Sequence, residues 1–473
     1  MRILLPLFGL VLAAAVDAQQ IDSMLLRTHT RVLAADSLEG RGAGSRGERA
    51  AARYIEEQLR QLELEPVSGN GYQLPVPLER ATIRNAELAI SGRDGTRRTF
   101  RNRTDFVWNT GSREAFRSFE GPAAYLTDPR DTSEASLRGR VIVVVGTLGA
   151  DAAWLVPLWQ RHGVQAVLSI IPDSAQYELI NRSRGDARFF TAGADDPIWQ
   201  SPLPVVIGSP RLGRALLGAR LDSLTQGGPA VEQLGLSIRA TIEPVFDALP
   251  TTNLAAVLPG TDSVAKGMVV YTAHYDHLGI GEPNAQGDSI FNGFSDNAAG
   301  VAMLLAIADA MRRDPPAHPV AFLFFAAEER GLLGSSYFAS NPPFPLQNIK
   351  GVINLDGGSP PAPPVEWRMP TNPQNGPVAN ATRTVAARHG WTVEFGPPSP
   401  NSDYWPFAIR GVPVGFLIPC FRWENLSDAE REQLRQRWDH YHQLEDEWHP
   451  EYPFSGMRRY AQFALEIGFE LAR

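Results

Sequence analysis

Six side chains that can ligate metal ions or move protons follow hydrophobic runs in the second half of the chain. They are His274, Asp276, Asp296, Glu328, Glu329 and Asp356. Imidazole and carboxylate groups are common protein ligands of zinc, and an ion held by them can lower the pKa of a bound water. One imidazole and five carboxylates, with a second imidazole to complete the set, predict a site for two divalent ions that activates water.

The second imidazole has several candidates in the sequence. His440, His442 and His449 lie near the C-terminal end, and His277 follows the first of the six side chains closely. A loop histidine among polar neighbours is more often a surface residue than a ligand. The residues alone therefore leave the choice among these four histidines open.

The candidate side chains come at the ends of sequence segments that are typical of buried strands. These near-continuous apolar runs are residues 268–273, 320–326, 352–355 and 412–418. Runs of this kind are expected for strands covered on both faces of a sheet. Residues 297–312, between the first two runs, have apolar side chains on one helical face, which predicts a helix packed on that sheet. We expect an α/β domain with the candidate site along one edge of its sheet.

Spacing suggests how these side chains divide the chemistry. Residues i and i+2 of a strand point to the same face, so Asp276 can support the ring of His274 and fix its tautomer. Asp296 can bridge two ions, although an isolated Asp before a helix is also a good N-cap. Glu328 and Glu329 point to different sides, so one can ligate metal while the other serves as a general base.

Composition limits the class of protein and its partners. At 473 residues the chain is long enough for two or three domains. The formal charge of −8 and the pI near 5.7, without a basic stretch, argue against nucleic acid as a partner. Residues 1–18 combine a positive start, an apolar stretch and a small-residue cleavage site, which predicts a signal peptide and export to the periplasm or the medium. No cysteine stands directly after this leader to carry a lipid, and no other apolar run reaches about 18 residues, so we expect no membrane anchor.

The middle of the chain differs from its two ends in the pattern of apolar residues. Residues 47–64 carry helical periodicity, whereas residues 71–249 hold short apolar runs separated by Gly, Pro and Asp. The latter pattern predicts a β-rich domain with one or two helices, one of them at 152–163. We therefore predict that residues 19–70 and 250–473 form one domain, into which residues 71–249 are inserted.

Two further features favour structural roles over catalytic ones. The glycine-rich segment 38–44 lacks the Lys-Ser/Thr that follows in a phosphate-binding loop, so we expect a turn packed near the rim of the site. Cys420 is the only cysteine, which excludes an intramolecular disulfide. Its apolar neighbours predict a buried structural thiol rather than a nucleophile.

Taken in order, these motifs resemble those of the M28 zinc peptidases. The matching segments are Leu33-Ala-Ala-Asp-Ser-Leu-Glu-Gly-Arg41, His274-x-Asp276, Ser295-Asp-Asn-Ala-Ala-Gly300, Glu328-Glu329, Asn354-Leu-Asp356, Asn401-Ser-Asp-Tyr-Trp-Pro-Phe407 and Tyr441-His-Gln-Leu-Glu-Asp446. The resemblance spans residues 22–70 and 250–473 and implies a mixed central β-sheet with helices on both faces. Residues 71–249 resemble, more loosely, the protease-associated domain that is often inserted in this family.

The resemblance also implies a role for each site residue. The implied ligands of two zinc ions are His274, Asp296, Glu329, Asp356 and His442. One ion would be bound by His274 and Asp356, and the other by Glu329 and His442. The carboxylate of Asp296 would bridge them, and the peptide bond between Asp296 and Asn297 would be cis. Glu328 would be the general base, and Asp276 would support His274.

As a function, the resemblance implies a secreted two-zinc exopeptidase that acts on peptides, with removal of N-terminal residues favoured. A carboxypeptidase or dipeptidase would use the same chemistry and stays open. A glutaminyl cyclase is less favoured, because a full two-metal set is present and the inserted domain is not typical of that branch. A non-catalytic binding protein, as among transferrin receptor-like relatives, should have lost ligands, and no ligand position is empty in this sequence. Oligomeric state and side-chain preference are left open.

Overall fold

The computed structural model describes residues 20–69, 71–110, 112–128, 133–148, 155–184, 187–191, 202–222 and 230–473. The signal peptide predicted at 1–18 lies outside these residues. The chain divides into two compact units, of which one combines Met1–Val76 with Pro250–Arg473 and the other is Pro77–Leu249. The first unit is thus discontinuous in sequence, with its break at 76/77 where the sequence pattern suggested 70/71.

The helices and strands of the described residues are as follows. The helices are α1 (Ser23–Leu33), α2 (Arg46–Gln61), α3 (Glu134–Leu137), α4 (Leu155–Arg161), α5 (Ser174–Arg184), α6 (Pro210–Leu217), α7 (Ala299–Arg313), α8 (Leu333–Ser340), α9 (Pro377–His389), α10 (Trp405–Ala408), α11 (Asp428–Trp438) and α12 (Ser455–Leu471). The strands are β1 (Glu65–Pro66), β2 (Gln73–Gly92), β3 (Arg97–Arg101), β4 (Phe106–Trp108), β5 (Phe119–Leu126), β6 (Val141–Val145), β7 (Ala166–Ile170), β8 (Ala187–Thr191), β9 (Val205–Gly208), β10 (Val231–Leu258), β11 (Met268–His274), β12 (Gly279–Ile280), β13 (Ile290–Phe291), β14 (Val320–Phe325), β15 (Ile349–Asn354), β16 (Glu366–Asn372), β17 (Thr392–Gly396), β18 (Val414–Phe416) and β19 (Ile418–Pro419). Short 3₁₀ turns lie at Asp36–Arg41, Arg113–Ala115, Gly218–Leu221 and Leu346–Asn348.

The sheet of the first unit is mixed, with parallel strands at its centre. β11 pairs in parallel with β14 on one side and with β15 on the other, and β15 pairs in parallel with β18. The last residues of β10 pair antiparallel with β14, and β16 pairs antiparallel with β18. In this register His274 lies opposite Phe325, and Thr272 lies opposite Asn354. The carboxyl ends of β11, β14 and β15 therefore meet at one edge of the sheet.

Both faces of this sheet are covered, as the apolar runs predict. Alternate residues of β11 and β14 belong to two separate cores: Tyr271 and Phe322 pack with α7 and α12, while Val270 and Leu323 pack with α8 and α10. The Tyr271 hydroxyl donates to the Ala464 carbonyl in α12, at 2.8 Å. Buried polar atoms need hydrogen-bond partners, and this hydrogen bond connects α12 to the sheet.

One helical stretch among the described residues, Phe294–Arg313, is long and apolar enough to cross a membrane by length and composition alone. Its most apolar window is 94% buried inside the protein. A core helix of a globular unit has the same composition, and α7 packs against β11 and α12 accordingly. The regular helix begins at Ala299 rather than at the predicted residue 297, because 294–298 form an irregular turn.

The second unit has more helix than the sequence pattern indicated. β5, β6, β7 and β9 form a parallel set, and the first part of β10 pairs antiparallel with β5. The helix predicted at 152–163 is α4, although residues 152–154 lie outside the described ones. The prediction of one or two helices was wrong, because α5 has a largely polar sequence and α6 is only eight residues long.

Candidate metal centre

Four of the predicted side chains converge where the parallel strands end. His274, the last residue of β11, has its Nε2 atom 2.9 Å from Oδ1 of Asp356 and 3.1 Å from Oδ1 of Asp296. The carboxylate of Glu328 lies in the same group, since one donor atom each of Glu328, His274 and Asp356 lie within 4.8 Å of one another. The imidazole and its carboxylate partners are nearly inaccessible to solvent.

A second group lies on the other side of Asp296. The Nε2 atom of His442 is 2.8 Å from Oδ2 of Asp296 and 3.4 Å from Oε2 of Glu329. His277, one of the four histidines left open by the sequence, is also in this group. Asp296 is therefore shared, with one carboxylate oxygen facing each imidazole.

This donor set fits two zinc ions. Donors bound at about 2.0–2.2 Å to a tetrahedral ion are about 3.3 Å apart. The separations from His274 to Asp356 and Asp296, and from His442 to Asp296 and Glu329, are 2.8–3.4 Å. Each group thus offers one imidazole and carboxylate oxygens at the spacing that one ion requires, and Asp296 contributes to both.

The other two histidines of the C-terminal segment point elsewhere. The Nε2 atom of His440 is hydrogen-bonded to the Arg437 carbonyl at 3.0 Å, and Nδ1 of His449 accepts from the Glu451 amide at 3.2 Å. Neither belongs to the two donor groups. The structure therefore places His442, the residue implied by the family resemblance, beside the carboxylates.

The carboxylate of Asp356 is held by a buried chain of hydrogen bonds. Thr272 donates to Oδ1 of Asn354 at 2.6 Å, Asn354 donates to Oγ of Ser402 at 2.7 Å, and Ser402 donates to Oδ2 of Asp356. This leaves Oδ1 as the oxygen that faces His274. Partners of this kind orient a ligand and raise the affinity for its ion.

Asp276 supports the centre in two ways. The Nδ1–H of His274 donates to the backbone oxygen of Asp276 at 3.1 Å, which leaves Nε2 free to face the carboxylates. The Asp276 carboxylate lies at the longer, ion-pairing distance of 3.7 Å from Nδ1, and it accepts the backbone amides of Glu328 and Glu329 at 3.0 and 3.4 Å. The sequence indicated support of the imidazole, and the structure adds the anchoring of the acidic pair.

The turn that carries Asp296 is fixed from the C-terminal loop. The Asp446 carboxylate accepts the backbone amide of Ser295 at 3.0 Å and that of Asp296 at 3.3 Å. The peptide bond between Asp296 and Asn297 is cis, which confirms the expectation from the resemblance. α7 has no side-chain cap at Ala298, so Asp296 is not the helix cap that the sequence also allowed.

The pKa shifts in the two groups show that positive charge is strongly stabilised there. Burial alone would lower the pKa of His274, but Asp356 and Glu328 raise it well above its ordinary value. Burial would likewise lower the pKa of His442, and Asp296 with Glu329 raises it to about 10. Burial, with only partial relief from His274, raises the pKa of Glu328 well above its ordinary value. Divalent cations bound to the carboxylates would supply this positive charge in place of protons on the imidazoles and on Glu328.

A buried arginine, which sequence reasoning missed, lies beneath the centre. Arg41 donates Nε to the Tyr275 carbonyl at 2.8 Å, Nη1 to the Leu33 and Asn292 carbonyls at 2.5 and 2.6 Å, and Nη2 to the Gly293 carbonyl at 2.9 Å. It therefore ties the N-terminal segment to the end of β11 and to the turn before Asp296. Burial lowers its pKa to about 10, and the carboxylates of the centre oppose that shift.

The glycine-rich segment overlaps the short 3₁₀ turn Asp36–Arg41, which is packed against the segments that flank the centre. It passes so close to its neighbours that a Cβ on Gly40 would lie 2.5 Å from the carbonyl oxygens of Gly279 and Phe291. Gly40 also has a positive φ of 63°. An arginine between two glycines was the one sequence signal for this close packing.

Comparison with known proteins agrees with this geometry. Residues 253–466 match the model of peptidase family M28. Over this part, which is less than half of its length, the chain is similar to the M28 peptidases. The aminopeptidase YwaD of Bacillus subtilis (strain 168) is 28% identical over 182 residues, which are 38% of this chain and 36% of that protein. A probable zinc metalloprotease of Pyricularia oryzae is 32% identical over 105 residues, 22% of this chain and 20% of that protein. The matches thus span well under two thirds of the length of these relatives.

Solved structures show the same fold. An aminopeptidase from Aneurinibacillus sp. strain AM-1 matches with a TM-score of 0.60 at 18% identity, covering 96% of this chain and 95% of that one. The zinc aminopeptidase BSAP from Bacillus subtilis matches with a TM-score of 0.50 at 18% identity, covering 94% of each chain. The predicted M28 architecture, a mixed sheet with helices on both faces, is confirmed.

Replacing the buried Arg41 by an uncharged residue should destabilise the domain that contains the metal centre. We expect Arg41→Met to lower the free energy of unfolding by about 3–5 kcal/mol, because it leaves four carbonyls and the nearby carboxylates without their partner. Arg41→Lys keeps the charge but has fewer donors, so its loss should be smaller. Urea unfolding followed by fluorescence measures both. Arg46→Met, at an exposed arginine five residues away, is the control and should leave the midpoint unchanged; equal midpoints for the two methionine variants would contradict the role of Arg41.

Proposed function

We propose that the protein is a two-zinc exopeptidase that removes N-terminal residues from peptides. The observation that carries this proposal is the shared carboxylate of Asp296, whose two oxygens lie 3.1 and 2.8 Å from the imidazoles of His274 and His442. The similarity to family M28 and the aminopeptidases among its relatives support the peptidase activity.

The residues of the chain have distinct tasks in this reaction. Zinc ions held by the two donor groups would polarise the scissile carbonyl and lower the pKa of the attacking water. The Glu328 carboxylate would take the proton from that water and deliver it to the leaving amine. Its position is fixed by the backbone contact with Asp276. Positive charge bound next to Glu328 favours the ionised carboxylate that this task requires.

A cavity of about 440 Å³ beside Asp356 is the proposed site for the side chain of the residue to be removed. Ser295 and Asp356 line it, so it is continuous with the metal centre. Its aromatic and apolar lining residues include Phe416, Ile418, Phe421, Trp423, Trp438 and Tyr441. Phe421 and Tyr441 are 51% and 56% exposed, so their rings offer accessible apolar surface along the cavity. We propose that large apolar residues are preferred there.

The charges around the cavity are compatible with that preference. Arg368, Arg435 and Asp439 are its charged lining residues besides Asp356. Nε of Arg435 lies 3.8 Å from Oδ2 of Asp439, and its guanidinium group stacks on the Phe421 ring at 4.3 Å. With two arginines and two aspartates, the lining of the cavity has a formal net charge of zero. Cys420 also lines the cavity and is half-buried, so the prediction that its thiol is fully buried was wrong.

We propose two further assignments from the sequence. Residues Pro77–Leu249, a compact unit of their own, would be the protease-associated domain that this family often carries. The protein would be exported after removal of residues 1–18, because that segment has the charge and apolar pattern of a signal peptide.

The end of the peptide that is attacked can be measured directly. We expect the zinc-loaded protein to shorten a library of peptides from the N-terminus, one residue at a time, as read by mass spectrometry. Acetylated peptides should resist, because an aminopeptidase recognises the free amine, whereas amidated peptides should be cleaved. Shortening from the C-terminus, or cleavage restricted to dipeptides, would replace the aminopeptidase by a carboxypeptidase or a dipeptidase with the same centre.

The two adjacent glutamates should respond differently to loss of charge. Glu328→Gln cannot accept the proton, so we expect it to keep both zinc ions and to lose turnover by about 10²–10⁴-fold. Glu329→Gln should weaken one zinc ion, and excess zinc should restore part of the activity. Metal analysis and initial rates measure both effects. If Glu328→Gln loses metal and zinc restores its turnover, the two roles are reversed.

The only cysteine provides a probe of the cavity. N-ethylmaleimide on Cys420 should fill part of the cavity and reduce kcat/KM for a leucine or phenylalanine nitroanilide by about 10–200-fold relative to an alanine substrate. Cys420→Ser should not respond to the reagent. A fully labelled protein that keeps the original ratio between leucine and alanine substrates would place the terminal side chain elsewhere.

A further inference from the structure

His277 is the one buried histidine of the centre that the implied ligand set does not use. Its side chain is fully buried. Its backbone amide donates to the Arg41 carbonyl at 3.2 Å. Its ring lies directly under Gly293, where an added Cβ would be 2.6 Å from two ring carbons. The ring is therefore packed closely against Gly293 on one side, and the hydrogen bond of the His277 amide fixes the backbone that carries it.

The polar contact of this ring is with a metal-site carboxylate. Nδ1 of His277 lies 2.7 Å from Oε1 of Glu329, whereas the other oxygen, Oε2, faces His442. The Nε2 atom is buried and has no hydrogen-bond partner among the described residues. The two oxygens of Glu329 thus have different partners, and the imidazole of His277 takes the one that faces away from His442.

The separations favour a hydrogen bond over direct ligation by His277. The 2.7 Å between Nδ1 of His277 and Oε1 of Glu329 is the distance of a charge-assisted hydrogen bond. Nδ1 of His277 is 3.8 Å from Oδ2 of Asp296, compared with 2.8 Å for Nε2 of His442. His277 therefore contacts Glu329 but lies farther from the shared carboxylate of Asp296 than His442 does.

We propose that His277 is a positioning residue that holds Glu329 with Oε2 turned toward the second zinc ion and so sets the affinity for that ion. This inference rests on the proposed two-zinc centre. It gives Glu329 the same kind of support that Ser402 gives Asp356 at the first ion. Loss of a hydrogen-bonded partner behind a ligand typically weakens metal binding by about 10–100-fold. The effect should fall on one ion, because His277 contacts Glu329 and not the carboxylate of Asp356.

The test compares the two zinc affinities of four full-length proteins. His277→Phe keeps a ring under Gly293 but removes the donor, and His277→Asn keeps an N–H donor on a smaller side chain. His440→Phe is the matched control, because that histidine is hydrogen-bonded to the Arg437 carbonyl and belongs to neither donor group. Each protein is equilibrated with zinc buffered by a chelator over a range of free concentrations, and the bound zinc is measured by mass spectrometry.

We expect the phenylalanine variant to lose affinity for one zinc ion by about 10–100-fold while the other changes by less than about threefold. The asparagine variant should recover part of the loss, and the control should match the wild type. If the phenylalanine variant does not fold, the asparagine variant must still weaken one ion selectively.

Three results would overturn the proposal. The first is unchanged affinity for both ions in both His277 variants. The second is equal weakening of both ions, which would indicate a general structural role. The third is a cobalt-substituted spectrum in which the second ion of His277→Asn has one nitrogen ligand fewer than the wild type, which would make His277 a direct ligand. A wild-type protein that binds two zinc ions but cleaves no peptide would refute the proposed function without affecting these affinities.

Discussion

The concentration of buried carboxylates at one sheet edge is the constraint on which the rest of this domain depends. Asp276, Asp296, Glu328, Glu329 and Asp356 all lie there with little solvent exposure. Such groups are costly to bury unless cations and hydrogen-bond donors compensate them. The imidazoles, the guanidinium of Arg41 and the backbone amides held by Asp276 provide that compensation. Two divalent ions, if bound as proposed, would complete it, and metal binding would then be linked to the stability of this edge.

The sequence predicted the position of most donors because it carries them next to the strands that place them. Parallel strands bring their carboxyl ends to a single edge, so His274, Glu328 and Asp356 required only the correct identification of three apolar runs. The helix α7 was identified by its apolar face. Its first residue was misplaced because the turn before it is shaped by contacts with Asp446, which lies about 150 residues away.

Other features depended on contacts that no local pattern encodes. His442 was distinguished from its neighbours by resemblance alone, since a loop without periodicity does not show which side chain turns inward. Arg41 has partners in three separate segments, and its burial becomes clear only when those segments are assembled. The exposure of Cys420 follows from a cavity whose walls come from distant parts of the chain. The helices α5 and α6 lacked a long apolar face.

The contact of Asp446 with the turn around Asp296 has a consequence for how this domain can change over evolution. His442 and Asp446 belong to one short loop, and the carboxylate of Asp446 fixes the backbone from which Asp296 projects. The number of residues between His442 and Asp446 therefore determines how far His442 lies from the shared carboxylate. An insertion or deletion within 443–445 would change that distance, so this loop can vary in composition but should keep its length.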